Sequence, residues 1–152
     1  MADKQATPAT GGGMPRLLSL VITGIHKAFY RLTSGRVGGR MGTMDILVLT
    51  TTGRKSGEPR STPLAYFRDG ANLVVVASAN GAPTAPAWYL NLQSNPEVTV
   101  VVGKTTQQMR AATAAPADRA RLWPLIVRQA PNFAGYQEKT SREIPVVILQ
   151  RA

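Results

Sequence analysis

Hydrophobic and polar positions change period partway along the chain. From Pro15 to about Leu32, the residues Leu17, Leu18, Val21, Ile22, Ile25, Phe29 and Leu32 recur at spacings of three and four. That is the period of one helix face, and Pro15 suits a first turn. The spacing predicts an amphipathic helix whose polar side carries His26, Lys27 and Arg31, followed by Arg36 and Arg40 in the Gly-rich "SGRVGGRMG". Ahead of it, "MADKQATPATGGG" (1–13) has no apolar period to offset the entropy of ordering and reads as a disordered lead.

Beyond residue 40 the pattern turns extended. "MDILVLTTT" (Met44 to Thr52) is a continuous β-branched and aliphatic run, "RSTPLAYFRD" a second strand, and "NLVVVASA" a third, reached through Asp69-Gly70. Short turns between the three suggest an antiparallel meander. "PAWYLNLQSN" (Pro86 to Asn95) reads as a short helix stopped by Asn95-Pro96. "EVTVVVG" and "KTTQQMRAAT" form a hairpin turning at Gly103-Lys104. A helix follows from about Pro116 to Gln129, where Pro116 and Asp118 suit the first turn. A short helical piece around Phe133 to Lys139 and a last strand, "REIPVVILQ", complete the chain.

Some six strands with two or three helices predict an α+β fold with one mainly antiparallel sheet, packed on a second layer or closed into a barrel. A ligand would sit at its mouth or rim. The expected organisation is a single domain: the lead over 1–13, the amphipathic helix and basic loop over 14–40, and a sheet domain over 41–152. A length of 152 residues with 43% hydrophobic content suffices for one core.

Composition narrows the chemistry. With no cysteine, disulfides, thiolate metal sites and thiol nucleophiles are excluded, and the single His26 leaves no imidazole cluster, so no metal site is expected. Eighteen Lys and Arg against eight acids give a net charge of +10, which implies an anionic partner. Aromatics are only 6% of the chain and are not interleaved with the cations, so nucleic acid is not the expected one. The apolar run Leu17 to Ile25 is about half of the roughly 20 residues a membrane span needs. No signal-peptide pattern precedes it, so a cytoplasmic protein is expected. The basic amphipathic face could still rest on an anionic membrane surface.

Three constellations could carry function. "GRKSGEPR" (Gly53 to Arg60) sets Arg54, Lys55 and Arg60 in a glycine-permitted turn between strands. It lacks Walker spacing, yet such a turn can converge backbone N–H groups and cations on a phosphate or carboxylate. It is equally readable as a solvated hairpin tip. Trp88 and Asn91, three apart on the short helix, can offer an aromatic wall and an amide to one cavity, or can be plain core. Phe133 and Tyr136 share the same spacing, and Tyr136 offers a phenol. The eight acids are dispersed, and no strong nucleophile stands out. An enzyme of this composition would draw its reactivity from a bound cofactor.

Taken together, "LTTTGRKSGEPRSTPL", "DGANLVVVAS", "PAWYLNLQSNPEVTV" and "REIPVVIL", with an "RLWP" helix between the last two, resemble the deazaflavin-dependent nitroreductase family of actinobacteria, which includes quinone reductases. The likeness runs from about Leu17 to Leu149. It implies a split β-barrel of the flavin-reductase type, which binds FMN in some members, and reduced coenzyme F-420 as hydride donor. That coenzyme is a polyanion, with a phosphodiester and a lactyl-polyglutamate tail. The resemblance places Arg54, Lys55 and Arg60 near the phosphate and tail, with Ser56, Gly57, Glu58 and Pro59 shaping the loop. It brings Ala77, Ser78, Trp88 and Asn91 toward the ring or its ribityl chain, together with Leu49, Thr50, Val76, Ala79 and Phe133 as further coenzyme contacts. Ser78 and Tyr136 are the substrate and proton-donor candidates.

The implied reaction is hydride transfer to a quinone, an activated enone or a nitroaromatic. Members that reduce bulky nitroimidazoles are tyrosine-rich where this chain has "QAPNFAGYQ", and Ala130 and Phe133 lack the hydroxyl. Nitroimidazole activation is therefore expected to be weak. The alternatives are an FMN-binding oxidoreductase of the same fold and a non-catalytic deazaflavin carrier.

Overall fold

In the computed structural model, which describes residues 40–41 and 44–152, strands form where β-branched residues concentrate. They are β1 (Arg40–Met41), β2 (Met44–Thr52), β3 (Pro59–Ala65), β4 (Phe67–Asp69), β5 (Asn72–Val76), β6 (Glu97–Val102), β7 (Thr105–Thr113) and β8 (Val146–Arg151). Three α-helices intervene: α1 (Ala87–Ser94), α2 (Pro116–Gln129) and α3 (Asn132–Glu138). A short 3₁₀ turn covers Ala79–Gly81. The expected disordered lead (1–13) and the amphipathic helix and loop (14–40, except Arg40) lie outside the described residues.

Every strand pairing is antiparallel, in the order β1-β2-β6-β7-β8-β5-β4, with β3 on β2. The ladder does not close on itself. Its two sides are joined by the chain instead, because β3 on β2 runs into β4 on β5 through the single residue Tyr66. The Tyr66 N–H bonds the Asp45 carbonyl at 3.0 Å and fixes that crossing. The result is a barrel split along one seam.

The expected strands change in their bounds: "NLVVVASA" ends as a strand at Val76, with Ala79 in the 3₁₀ turn, and "REIPVVILQ" is strand only from Val146. "RSTPLAYFRD" is two strands, since its residues leave one partner for another at Tyr66. The antiparallel meander holds in its pairings, β2 on β3 and β4 on β5, and its two halves extend onto β6 and β8. The long-range ladders β2–β6 and β5–β8 decide the topology.

Side-chain alternation sorts the core into two layers. On β5 and β8, Leu73, Val75, Val147 and Leu149 face a barrel interior shared with Leu47, Leu49, Trp88, Tyr89 and Met109. Their neighbours Val74, Val76, Val146 and Ile148 face a second cluster, covered by Leu122 and Ile126 of α2 and Phe133 of α3. Both faces of these strands are buried, which accounts for their unbroken apolar runs. A bidentate pair at 3.0 Å, Arg121 Nη1 and Nη2 on Asp69, clips α2 to the β4–β5 turn.

Candidate active site

The turn between β2 and β3 is closed by its own backbone. Gly53 N–H bonds the Glu58 carbonyl at 2.7 Å, Gly57 N–H bonds the Gly53 carbonyl at 2.8 Å, and Gly57 adopts φ 71°. Gly53 has a steric reason to lack a side chain: a Cβ there would stand 2.6 Å from Ser56 Oγ and 3.2 Å from the Glu58 carbonyl. Ser56 Oγ accepts from Glu58 N–H at 3.2 Å and from Arg60 Nη2 at 3.5 Å, so one hydroxyl orders both the turn and a cation.

Helix α1 anchors this turn from the other side. Asn91, 4% exposed, accepts from Arg54 N–H and from Arg54 Nη1 through Oδ1, both at 3.2 Å. Its Nδ2 donates to Thr51 Oγ1 at 3.2 Å. The amide is therefore a staple between α1, the end of β2 and the basic turn, and it reaches 37 to 40 residues along the chain. Trp88 lies one helical turn earlier, edge-on to Tyr89, and is 7% exposed.

Between the turn, the start of β3 and α1 lies a cavity of about 420 Å³. Arg54, Lys55, Ser56 and Arg60 line it on one side, and Trp88 and Asn91 on the other. Gly53, Ser61, Thr62 and Ala87 complete the lining and are not among the coenzyme contacts expected from the sequence. Ser61 could be inferred only through the register, which sets it opposite Thr50 with their hydroxyls 2.7 Å apart. Among the described residues, none of the three cations pairs with a carboxylate. Glu58, the one acid of the turn, is exposed and outside the lining.

The other expected contacts lie elsewhere. Leu49 and Ala77 are wholly buried in the barrel interior, and Val76 and Phe133 belong to the second cluster. Gly57 and Pro59 shape the turn without lining the cavity. Ser78, Ala79 and Tyr136 form a separate grouping, since α3 packs on the Ala79–Gly81 turn. There a Cβ on Gly81 (φ 82°) would meet the Tyr136 carbonyl at 2.7 Å. Ala79 and Asn80 also hold positive φ, 45° and 55°, a strained conformation for residues with a Cβ. Tyr136 is half-buried, and its hydroxyl accepts from Asn132 Nδ2 at 3.2 Å, leaving its proton free to be donated. Ala130 is buried in the second cluster.

A cavity edged by three cations with no carboxylate partner among the described residues, an ordered hydroxyl and an indole fits a ligand with an anionic end and a flat ring. Phosphate and carboxylates match the guanidinium and ammonium donors. No group of three or more His, Cys, Asp or Glu residues able to hold a metal occurs among the described residues.

Comparison with known proteins bears on the same site. The family model of the F420H(2)-dependent quinone reductases matches residues 22–151. An F420H(2)-dependent quinone reductase of Mycobacterium tuberculosis is 42% identical over 142 residues, covering 91% of this chain and 95% of the relative. A solved F420-H2 dependent reductase, FDR-A, is 39% identical with a TM-score of 0.64, over 69% of this chain and 93% of that one. Another solved chain, described as a domain-swapped dimer, is 32% identical with a TM-score of 0.65, over 86% and 99%. A more distant likeness, at 17% identity and a TM-score of 0.51, covers 70% of this chain and 82% of a candidate pyridoxamine 5'-phosphate oxidase of Listeria innocua. It shows the split-barrel fold alone.

Proposed function

The chain belongs to the F420H(2)-dependent quinone reductase family, and from that premise we propose that its basic cavity holds reduced coenzyme F-420 for the reduction of quinones. The observation that carries this reading is the set of three cations, Arg54, Lys55 and Arg60, lining one cavity with Trp88 and free of acid partners among the described residues. When bound, the reduced coenzyme supplies a hydride from C5 of its deazaflavin to the acceptor.

The chain's own residues bind, orient and protonate. Arg54, Lys55 and Arg60 take the phosphate and acidic tail, and Asn91 holds Arg54 in place for them. Trp88 offers a wall to the ring, and the surrounding β2–β3 and α1 surfaces exclude water from one side of it. Ser78 Oγ and the Tyr136 phenol are the donors proposed to hold or deliver a proton at the acceptor oxygen. Enones and nitroaromatics are proposed as further acceptors. The cellular setting proposed is the cytoplasm, with residues 14–40 making loose contact with an anionic membrane where a lipid-soluble quinone would be met. Among the described residues no helix is long and apolar enough to cross a membrane. Liposome flotation of the full chain should exceed that of a variant lacking residues 1–40; equal flotation removes the membrane proposal.

The test of the reaction is to follow oxidation of reduced coenzyme F-420 spectroscopically with quinones, enones and nitroaromatics. Saturable oxidation with a quinone is expected. Tight coenzyme binding without oxidation by any acceptor would instead make the protein a carrier.

A further inference from the structure

We propose that Arg142 is a positioning residue, whose guanidinium sets the loop that presents the Ser78 hydroxyl to the acceptor. This rests on the reductase reading above. Arg142 Nε donates to the Ala82 carbonyl at 3.0 Å, Nη1 and Nη2 donate to the Ala77 carbonyl at 3.3 Å, and Nη2 donates to the Ser78 carbonyl at 2.9 Å. One planar fork thus gathers three carbonyls from both ends of the Ala77–Ala82 loop. Among the described residues it has no carboxylate partner.

Arg142 is itself held from behind. Its carbonyl accepts from Gln137 Nε2 at 2.8 Å, and Gln137 Oε1 accepts from Ile144 N–H at 2.9 Å and from Arg119 Nη2 at 3.2 Å. The loop it holds contains Ala79 and Asn80 at positive φ, and such strain persists only where the surroundings over-determine it. Arg142 supplies that constraint from one side and the Gly81 contact with the α3 backbone supplies it from the other.

The loop carries two polar side chains, the exposed Asn80 amide and the Ser78 hydroxyl, and Ser78 is the one that sits at a carbonyl the guanidinium clamps. Ser78 is 8% exposed, yet its hydroxyl makes no hydrogen bond within the described chain. No buried side-chain polar atom among the described residues lacks a partner, so the Ser78 hydroxyl is not sealed inside and can be reached from the surface. Loops that only connect elements need no guanidinium clamp and no left-handed alanine. A loop that must aim a hydroxyl to within a fraction of an ångström benefits from both. A lysine could not replace the fork, because one ammonium cannot span three carbonyls in a fixed plane.

The experiment combines Arg142→Ala, Arg142→Lys and Ser78→Ala in the full chain. Hydrogen exchange should rise about tenfold or more at Gly81 and Ala82 in Arg142→Ala and stay unchanged in the 53–60 turn. Quinone kcat/KM should fall about 100-fold, while the coenzyme dissociation constant, set by Arg54, Lys55 and Arg60, stays within about threefold. Adding Ser78→Ala to Arg142→Ala should cost far less than Ser78→Ala alone, because both act through one group. Millimolar guanidinium should partly restore Arg142→Ala, and Arg142→Lys should remain impaired even if the alanine variant folds poorly. Unchanged loop exchange, unchanged kcat/KM, or additive losses in the double variant would each overturn the proposal. A wild-type protein inert toward every quinone would overturn the reductase reading instead, and the exchange comparison would still decide whether Arg142 sets the loop.

Discussion

Replacing Asn91 by alanine removes three hydrogen bonds at once, each 3.2 Å long, to Arg54 N–H, Arg54 Nη1 and Thr51 Oγ1. Two are neutral and contribute about 1 kcal/mol each; the guanidinium bond contributes less than the usual charge-assisted value, because Arg54 is exposed. The expected loss of stability is therefore about 2–3 kcal/mol, or a fall in Tm of about 5–10 °C for a domain of this size. Coenzyme binding should weaken for a different reason. Arg54 would have to be ordered by the ligand instead of by the protein, at about 0.5–1.5 kcal/mol, which raises the dissociation constant about fivefold. Thermal melts and a fluorescence titration with coenzyme F-420 read the two effects separately. Unchanged Tm and affinity would show the staple to be idle. A loss of affinity above about 100-fold with no change in Tm would show that Asn91 is a direct ligand contact and refute the staple.

Gly81→Ala should cost about 2–4 kcal/mol, measured by denaturant unfolding, since it adds left-handed strain to a 2.7 Å approach of its Cβ to the Tyr136 backbone. The Asp69 carboxyl is held below the usual carboxylate range, chiefly by hydrogen bonds from Arg121, which outweigh an opposing cost of burial, with a lesser contribution from the Arg121 charge. A depressed carboxyl stabilises the fold above its unfolded value of about 3.9, and that stability is lost as pH falls through the folded value. Arg121→Ala should thus be less stable than wild type at pH 7 and converge with it in acid; a gap that persists at pH 2 would contradict the assignment. Nitroimidazole turnover should be slower than quinone turnover, because Ala130 and Phe133 are buried and carry no hydroxyl; equal steady-state rates would refute this.

Elements driven by local chemistry were legible in the sequence. The aliphatic run bounds β2 at Met44–Thr52, and Pro116 at its start helps bound α2 at Pro116–Gln129, both as read from the pattern. What depends on distant partners was not. No glycine or proline marks the strand break at Tyr66, which comes from the chain changing partner between β2 and β5. The spacing of Trp88 and Asn91 put them on one helix face, and both line the cavity. It carried no sign that the amide would staple Arg54. Arg142 stands in sequence at the head of the last strand, but that strand starts at Val146, and the preceding residues carry the loop brace instead. Hydrogen bonds spanning 60 or more residues leave no periodic trace.

The turn "GRKSGEPR" is proposed to clamp the phosphate and acidic tail of coenzyme F-420. Its most direct test is a titration of wild type, Arg54→Ala and Lys55→Ala with coenzyme F-420 and with FMN at increasing salt. Wild type should prefer the deazaflavin, each variant should bind it about tenfold or more weakly with its fold intact, and salt should weaken wild type most. FMN binding more tightly than coenzyme F-420, or dissociation constants unchanged by either substitution, would contradict it.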